Sequence, residues 1–279
     1  MRDDTPREDR RATLARTFDE DAELYDRARP GYPDGLFDDL AALTGTGPGC
    51  RVLEVGAGTG KATVPLAERG CRVTAVEAGA HMARVARRRL ARFDVVEVVT
   101  AAFETWPLPA EPYDVVVAAT AFHWLDPAVR AARCADALRP GGALAVVVTQ
   151  HVAGGTEEFF AEVQECYERF DPDTPRGLRP PAAGDVDRAE HADEVVRSGR
   201  FGDGALDVRR HEWELTYPTA AYLDVLRTYS GHRALPPRAR EGLLRCVGAL
   251  VEGRYGGRVT KRYLTELRVC RTPVAPARG

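Results

Sequence analysis

A short apolar run followed by three alternating glycines constrains this chain more than any other feature. The run extends from Val52 to Val55, and the glycines are Gly56, Gly58 and Gly60. An apolar run of this length predicts a buried strand. Glycines directly after a strand allow backbone amides to approach a ligand closely before a helix begins. The segment therefore predicts a strand–turn–helix unit, either with a ligand at the turn or with the glycines serving a tight turn alone.

The spacing of the glycines distinguishes between classes of nucleotide site. In the dinucleotide fingerprint G-x-G-x-x-G, the last glycine would fall where Lys61 stands. The chain instead has E-x-G-x-G-x-G, beginning at Glu54. This pattern resembles the first motif of the class I S-adenosylmethionine (SAM) methyltransferases. The resemblance implies that the ligand at the turn is SAM.

Composition places the chain among ordinary globular proteins. Its 279 residues suffice for one large domain or for a core domain with an elaboration. Hydrophobic residues make up 44% and charged residues 29%, and the net charge of −3 gives no reason to expect nucleic acid as a partner. Lysine occurs only at Lys61 and Lys261, so 37 of the 39 basic residues are Arg. An individual surface Arg therefore carries little weight as a sign of function.

Six scattered cysteines form no CxxC pair and no Cys/His cluster. We therefore expect a reduced, cytoplasmic protein with buried or incidental thiols and no metal site. The charged stretch from Met1 to Arg16 is not typical of a signal peptide, and no run approaches the roughly 20 apolar residues of a membrane span. The expectation is a soluble protein with no membrane partner.

Apolar strands and helices alternate through the first half of the chain. This alternation predicts an α/β fold, a Rossmann-like doubly wound, mostly parallel sheet with helices on both faces. The predicted strands are Val52–Val55, Arg72–Val76, Asp94–Val99, Val115–Ala119 and Ala143–Thr149, and the predicted helices are Ala62–Arg69, Ala80–Arg92 and Pro127–Leu138. A turn at Pro140-Gly141-Gly142 is expected to precede the fifth strand.

The remaining segments predict helices around this core. Pro30 and Pro33 divide an N-terminal helical stretch. Further helices are predicted at Glu157–Phe170, Asp187–Ser198, Ala220–Thr228 and Pro237–Glu252. The predicted domains are N-terminal cover helices (1–45), a SAM-binding core (46–150), a helical lid (151–205), C-terminal strands with intervening lid helices (206–272) and a disordered tail (273–279).

Candidate binding residues follow the second and third strands. The carboxyl ends of parallel strands meet at one edge of a sheet, where ligands of open α/β folds bind. Glu77 stands at the end of the second strand, where its carboxylate could accept hydrogen bonds from ribose hydroxyls or cap the next helix. Met82 could pack on adenine or lie in the core. After the third strand, Ala102 occupies the place where methyltransferases usually have an acid. Phe103 could stack on adenine or offer its backbone amide, and Glu104 could orient the loop or be exposed.

The end of the fourth strand carries the most specific resemblance. Ala118 to Pro127 includes Phe122-His123-Trp124, and Tyr25-Asp26-x-x-Arg29-Pro30-x-Tyr32-Pro33 lies upstream. Together they resemble the small-molecule methyltransferases that include the trans-aconitate methyltransferase-like enzymes. The resemblance implies seven strands, the last of them antiparallel, and a final hairpin at about 207–216 and 262–271.

The resemblance also implies the roles of individual residues. Arg29 would pair with the methionine carboxylate of SAM, unless it caps its own helix. His123 and His151 are candidate general bases, with a neutral, loop-holding imidazole as the alternative. The cofactor-binding candidates are Tyr25, Arg29, Glu54, Gly56, Ala57, Gly58, Gly60, Glu77, Ala78, Met82, Ala102, Phe103, Thr120 and Ala121.

These observations predict a metal-independent, SAM-dependent methyltransferase acting on a small organic acceptor, as a monomer or homodimer. Several lid aromatics could line the acceptor pocket or form lid core. No Asn-Pro-Pro-Tyr/Phe motif follows the fourth strand, which argues against amino-methylating DNA or protein-glutamine enzymes. Three alternatives remain open: a SAM-binding enzyme that catalyses a cyclisation or rearrangement, an NAD-dependent oxidoreductase, and a binding protein without catalysis.

Overall fold

The computed structural model describes residues 19–171, 173–186, 195, 198–202 and 206–274. Its centre is a seven-stranded sheet in the order β3-β2-β1-β4-β5-β7-β6. Six strands are parallel and the last, β7, is antiparallel, as expected for a Rossmann-like fold. The strands are β1 Arg51–Val55, β2 Arg72–Glu77, β3 Val96–Thr100, β4 Tyr113–Ala119, β5 Leu138–Gly155, β6 Asp207–Pro218 and β7 Arg258–Arg271.

Helices occupy nearly all the predicted positions. They are α1 Ala22–Ala28, α2 Asp34–Thr44, α3 Thr63–Glu68, α4 Ala80–Leu90, α5 Arg130–Ala137, α6 Glu157–Glu162, α7 Gln164–Phe170, α8 Thr219–Arg227, α9 Ser230–Ala234 and α10 Pro237–Arg254. The helix predicted at Glu157–Phe170 is two helices that meet at Val163, and the short α9 was not predicted. The helix predicted at Asp187–Ser198 and the tail 275–279 lie almost wholly outside the described residues.

The fifth strand corrects two predictions. β5 begins at Leu138 rather than at Ala143 and ends at Gly155. Leu138 pairs with Tyr113 and Ala143 with Val115, so five steps along β5 match two along β4. Pro140-Gly141-Gly142 is therefore a bulge within the strand, with Gly141 at φ +73°, and not a turn before it. His151, predicted just past the strand, lies within it.

The chain divides into two compact units. The sheet unit comprises residues 31–149, 187–211 and 265–279, and the helix-rich unit comprises residues 1–30, 150–186 and 212–264. The domain boundaries predicted from the sequence stay predictions. Within the described residues, no helix has the length and apolar composition that crossing a membrane requires.

Successive side chains of β1 pack in the core on the two faces of the sheet. Val52 and Leu53 are both fully buried, but they belong to two different apolar clusters. Val52 packs in the cluster that contains Leu36, and Leu53 in the one that contains Phe122. Since successive side chains of a strand point to opposite faces, a strand covered on both sides is apolar throughout. Burial of each such side chain contributes about 1.5–3 kcal/mol.

Aromatic rings dominate the core of the helix-rich unit. Phe159 is fully buried, and its ring centroid lies 5.1–5.5 Å from those of Phe160, Tyr222 and Tyr255. All three contacts are edge-on, the geometry that the ring quadrupole favours. Phe159 and Tyr222 therefore belong to the core of the helix-rich unit, which agrees with the second of the two interpretations that the sequence left open.

A disulfide bond between Cys166 and Cys246 corrects the prediction of free thiols. It joins α7 to α10 across 80 residues, with a Cα–Cα distance of 5.8 Å. The other cysteines are free: Cys50, Cys71, Cys134 and Cys270. The pair went unpredicted because a separation of 80 residues carries no local signal.

Candidate functional site

The glycine turn joins the carboxyl ends of β1 and β2 in the sheet unit. The amides of Gly56 and Ala57 both donate to the carbonyl oxygen of Val76, at 2.9 and 3.2 Å. Gly56 has φ +69°, and a Cβ on it would lie 2.6 Å from the Cβ of Ala121. Glycine is required here because the end of β4 packs directly against the turn.

The next two glycines serve different purposes. Gly60, at φ +83°, approaches α4 so closely that a Cβ on it would lie 3.0 Å from Leu90 Cδ1. Gly58 also has a positive φ, +58°, but no atom of the described residues lies within 4 Å of the position its Cβ would take. The backbone of Gly58 is therefore the part of the turn that a ligand can approach.

Glu77 is held beside this open backbone. Its Oε2 accepts a hydrogen bond from the amide of Gly58 at 2.8 Å, and its Oε1 accepts one from the amide of Gly79 at 2.7 Å. Gly79 is the N-cap residue of α4, so the capping role considered from the sequence is present. An ionised carboxylate has about four acceptor positions and can accept from several donors at once.

Glu54, at the start of the glycine motif, is buried beneath the turn. The residue is 1% exposed, and its Oε2 accepts a hydrogen bond from the Thr63 hydroxyl at 2.6 Å. Burial, with a smaller contribution from the charge of Glu77, raises the pKa of Glu54 to about 8. At neutral pH this carboxyl is mostly protonated. It links β1 to the first turn of α3, and its side chain does not reach the surface.

The loop after β3 differs in part from expectation. Ala102 is exposed, but the Phe103 ring is only 3% exposed and packs in the core. The stacking of Phe103 on adenine is therefore wrong for this conformation, because the ring offers no free face. Glu104 Oε1 accepts the amide of Asp126 at 3.1 Å. It thus orients the loop against the end of β4, one of its two proposed roles.

Thr120, directly after β4, has a rare backbone conformation. Its φ of +55° is the one positive value at a non-glycine residue in the part of the chain that the structure describes. Such conformations are costly for residues with a Cβ and cluster at functional sites. The hydroxyls of Thr120 and Tyr32 are 3.0 Å apart and hydrogen-bonded. Tyr32 was not among the predicted site residues, although it stands in the upstream motif.

The Phe122–Trp124 turn, which contains His123, is held in place by the side chain of Arg130. Arg130 is 5% exposed and donates from Nη1 to the carbonyl oxygen of Phe122 at 2.7 Å. Its guanidinium carbon also lies 4.6 Å from the centroid of the Phe122 ring. His123 is half-buried, with its ring 4.8 Å from that of Trp124. Arg130 was not among the predicted site residues, because the sequence does not show that its side chain turns back to a carbonyl eight residues earlier.

Three predicted site residues lie in the helix-rich unit: Tyr25, Arg29 and His151. The Arg29 amide closes α1 by donating to the carbonyl of Tyr25 at 2.9 Å. Its guanidinium does not contact its own helix end but binds residues that follow α8. Nη2 donates to the Thr228 carbonyl at 3.2 Å, and Cζ lies 4.4 Å from the Tyr229 ring centroid. The helix-capping alternative therefore holds for the backbone of Arg29 but not for its side chain.

His151 is poorly suited to act as a general base. Burial, together with the charge of Lys261, lowers the pKa of His151 to about 3. Its ring packs edge-on to Phe160 at 4.4 Å, and Nε2 is buried with no hydrogen-bond partner among the described residues. A general base is most effective when its pKa lies near the working pH. The geometry therefore favours His123 over His151.

The sheet unit contains all the other predicted site residues. They are Glu54, Gly56, Ala57, Gly58, Gly60, Glu77, Ala78, Met82, Ala102, Phe103, Thr120, Ala121 and His123. The turns that bear them follow β1 to β4, whose parallel pairing directs all four carboxyl ends to one edge. Across the described ranges, no group of three or more His, Cys, Asp or Glu side chains is arranged to hold a metal ion.

The segment that contains this strand-end site is similar to a known protein family. Residues 53–146 match the family model of the methyltransferase domain, a segment that includes the glycine turn, Glu77 and the Phe122–Trp124 turn. This part of the chain is therefore similar to the methyltransferase domain.

Particular relatives extend the comparison. An uncharacterised methyltransferase of Mycobacterium tuberculosis is 39% identical over 137 residues, which are 49% of this chain and 54% of that protein. The chain thus spans about half the length of the curated relatives that it matches.

Solved structures share the fold over most of the chain. A candidate type II methyltransferase from Anaeromyxobacter dehalogenans superposes with a TM-score of 0.59 at 26% identity, over 88% of this chain and 99% of that one. The cyclase SpnF superposes with a TM-score of 0.52 at 16% identity, over 95% and 96% of the two chains. The latter likeness concerns the fold alone.

Proposed function

We propose that this protein is a SAM-dependent methyltransferase that acts on a small organic acceptor. The observation that carries the proposal is the pairing of Glu77 with the amide of Gly58, at the carboxyl edge of a parallel sheet and inside the segment that is similar to the methyltransferase domain. This arrangement combines an open backbone with a fixed carboxylate. Both are features that a nucleoside ligand requires.

The residues present fit SAM. The open face of Gly58 leaves room for a ligand against the backbone, where a side chain would intrude. Glu77, which the amides of Gly58 and Gly79 orient, would accept hydrogen bonds from the ribose hydroxyls. The backbone around Ala102 would hold adenine, since neither Ala102 nor the buried Phe103 ring provides a polar or stacking contact.

When bound, SAM supplies a methyl group that is already activated by its sulfonium. The task of the chain is to orient the acceptor and exclude water, which contributes on the order of 7–11 kcal/mol to catalysis in well-oriented systems. A general base is needed only when the acceptor loses a proton, and it adds about 10²–10⁴-fold. His123, on its braced turn, is the residue proposed for that step.

The finer assignments rest on the sequence motifs. Tyr25, Arg29 and the Phe122-His123-Trp124 segment support a place among the small-molecule methyltransferases that resemble the trans-aconitate enzymes. We also propose a metal-independent enzyme that is a monomer or homodimer. The cytoplasmic location stays a prediction from the sequence, because the Cys166–Cys246 bond removes the argument from reduced thiols. Light scattering would give the oligomeric state, and activity after dialysis against a chelator would test metal independence.

Calorimetry with three probes tests the cofactor. We expect SAM and S-adenosylhomocysteine to bind and NADH not to bind. Binding of NADH without SAM would overturn the proposal in favour of an oxidoreductase.

An acceptor panel incubated with methyl-labelled SAM tests the reaction. Transfer of label to an acceptor, with release of S-adenosylhomocysteine, supports a methyltransferase. An acceptor that is converted without gaining label, while SAM stays intact, would instead indicate a cyclase or isomerase.

A further inference from the structure

We propose that Arg133 is a positioning residue for the cofactor. Its side chain holds the loop after β3, residues 101–106, in the conformation whose backbone would bind adenine. The inference rests on the proposed function and deepens it, because it names the group that prepares the adenine site. A site made of backbone atoms binds more tightly when its conformation is fixed before the ligand arrives.

Arg133, on α5, holds this loop by two backbone carbonyls. Its Nε donates to the carbonyl oxygen of Phe103 at 3.0 Å, and its Nη2 donates to that of Trp106. Its Cζ also lies 5.4 Å from the centroid of the Phe103 ring. Since the donors of a guanidinium form a rigid fork, two bonds from one such group fix the two carbonyls relative to each other. The loop is therefore held against α5 at both carbonyls.

The hydrogen bonds of the loop leave two of its amides for a ligand. The Ala102 carbonyl accepts the amides of Thr105 and Trp106, at 3.2 and 3.0 Å. With Arg133 on the carbonyls of Phe103 and Trp106, three carbonyls of the loop are occupied. Across the described ranges, the amides of Ala102 and Phe103 donate to no backbone carbonyl. Ring nitrogens of adenine accept hydrogen bonds, so such a loop suits this base.

Arg130 makes the same kind of contact with the loop after β4. It donates to the carbonyl of Phe122, and its Cζ lies 4.6 Å from the centroid of the Phe122 ring. Residues three apart on a helix share a face, so Arg130 and Arg133 belong to one face of α5. Phe122 and Phe103 pack in one apolar cluster. One helix therefore holds both the loop proposed for adenine and the turn that contains His123.

Arg133→Ala tests the inference by calorimetry, with Arg69→Ala as the matched control. Arg69 is also half-buried, donates to the carbonyl of Pro65 at 3.2 Å and has its Cζ 5.4 Å from the Phe37 ring, but it stands directly before β2 begins. The probes are S-adenosylhomocysteine and methylthioadenosine, which has the adenine and ribose but not the amino acid. We expect Arg133→Ala to lose at least about fivefold for both probes, because the loop must then be ordered on binding. Arg69→Ala should bind both as the wild type does.

Hydrogen exchange without ligand separates a local effect from a global one. The amides of Thr105 and Trp106 report on the loop, because both donate to the Ala102 carbonyl. We expect Arg133→Ala to accelerate their exchange at least about tenfold, while the amides of β1 and β4 exchange as in the wild type. Equal acceleration throughout the sheet unit would show that Arg133 only stabilises the fold, and it would overturn the inference.

A second variant serves if Arg133→Ala does not fold. The ammonium of Arg133→Lys lacks the guanidinium fork and cannot hold the two carbonyls in a fixed relation. Arg133→Lys should therefore also lose affinity for both probes, by a smaller factor than the alanine variant. Wild-type affinity and wild-type loop exchange in Arg133→Lys would contradict the positioning role.

The remaining outcomes distinguish this inference from the proposed function. Unchanged affinity of a folded Arg133→Ala for both probes would overturn the inference and leave the proposed function standing. A loss for S-adenosylhomocysteine but not for methylthioadenosine would assign Arg133 to the amino-acid end of the cofactor and contradict the adenine role. Faster exchange of the loop in a protein whose wild type binds neither SAM nor S-adenosylhomocysteine would refute the proposed function alone.

Discussion

The carboxylate of Glu77 accepts a hydrogen bond from the backbone amide of Gly58 at 2.8 Å. The two residues follow neighbouring parallel strands, β2 and β1, and the bond joins the two strand-end turns. It fixes the orientation of the acid and leaves the open side of Gly58 free. The acid and the glycine thus form one structural element of the proposed cofactor site.

Removing the charge of Glu77 is expected to weaken SAM binding. Hydrogen bonds to charged groups contribute about 1.5–3 kcal/mol, so Glu77→Gln should reduce the affinity for SAM roughly 10–100-fold in calorimetry. Glu68→Gln, an exposed acid on α3, is the matched control and should bind as the wild type does. Equal affinity of Glu77→Gln and the wild type would refute the ribose role.

Alanine at Gly56 should mainly lower stability, whereas alanine at Gly58 should mainly weaken SAM binding. Gly56→Ala places a Cβ 2.6 Å from Ala121 Cβ at a positive φ, so it should lower the free energy of unfolding by about 2–5 kcal/mol. Gly58→Ala meets no atom of the described residues within 4 Å and should cost only about 1 kcal/mol, but it should reduce SAM affinity at least tenfold. Denaturant unfolding and calorimetry distinguish the two. Wild-type affinity in a folded Gly58→Ala would contradict the assignment of its open face.

The pKa of Glu54 predicts how stability depends on pH. A folded-state pKa of about 8 lies above the ordinary value of 4.5, so between these values the folded protein binds more protons than the unfolded chain. The contribution of Glu54 to the free energy of unfolding therefore falls as pH rises from about 5 to 8. Glu54→Gln keeps the acceptor for Thr63 without the titration and should show a flatter curve in urea unfolding at several pH values. Parallel curves for the two proteins would contradict the raised pKa.

The Cys166–Cys246 bond should stabilise the helix-rich unit. A disulfide that closes a loop of this length contributes about 2–4 kcal/mol, chiefly by restricting the unfolded chain. Dithiothreitol should lower the melting temperature of the wild type but leave that of the Cys166→Ser/Cys246→Ser variant unchanged. Alkylation of all six thiols in the protein denatured without reductant would show that the bond does not form.

The two candidate histidines should respond differently to substitution. With an acceptor that loses a proton, His123→Gln should lower kcat by about 10²–10⁴-fold and leave SAM affinity unchanged. His151→Gln should change kcat less than tenfold, because a pKa of about 3 makes His151 a weak base. Rates of label transfer from SAM measure both. A larger loss in His151→Gln would reverse the assignment.

Much of the sheet unit could be predicted because its signals are local. The apolar run at Val52–Val55 and the glycines after it lie within nine residues, and each carries its own conformational preference. Glu77 was found for the same reason, as an acid at the end of the next apolar run. The Phe103 ring was misplaced because its burial depends on how the β3 loop packs against the core.

Contacts between distant parts of the chain could not be predicted. Tyr32 and Thr120 are 88 residues apart, and Lys261 and Tyr229 are 32 apart, yet each pair shares a hydrogen bond. The bulge in β5 likewise depends on its pairing with β4. The sequence shows that a residue carries a hydroxyl or an ammonium group, but it does not show which distant residue that group will bond in the folded chain.

The sequence by itself determined the alternation of strands and helices, the glycine turn and the acid that follows β2. These features depend on backbone preferences and apolar periodicity within short segments, which act before distant residues meet. Only the tertiary structure decided that Gly56 packs on Ala121, that Arg130 braces the turn of His123 and that Cys166 meets Cys246. It also decided that Lys261 is buried beside Arg29 and Tyr229, because burial and pairing of charges are set by packing between elements far apart in the chain.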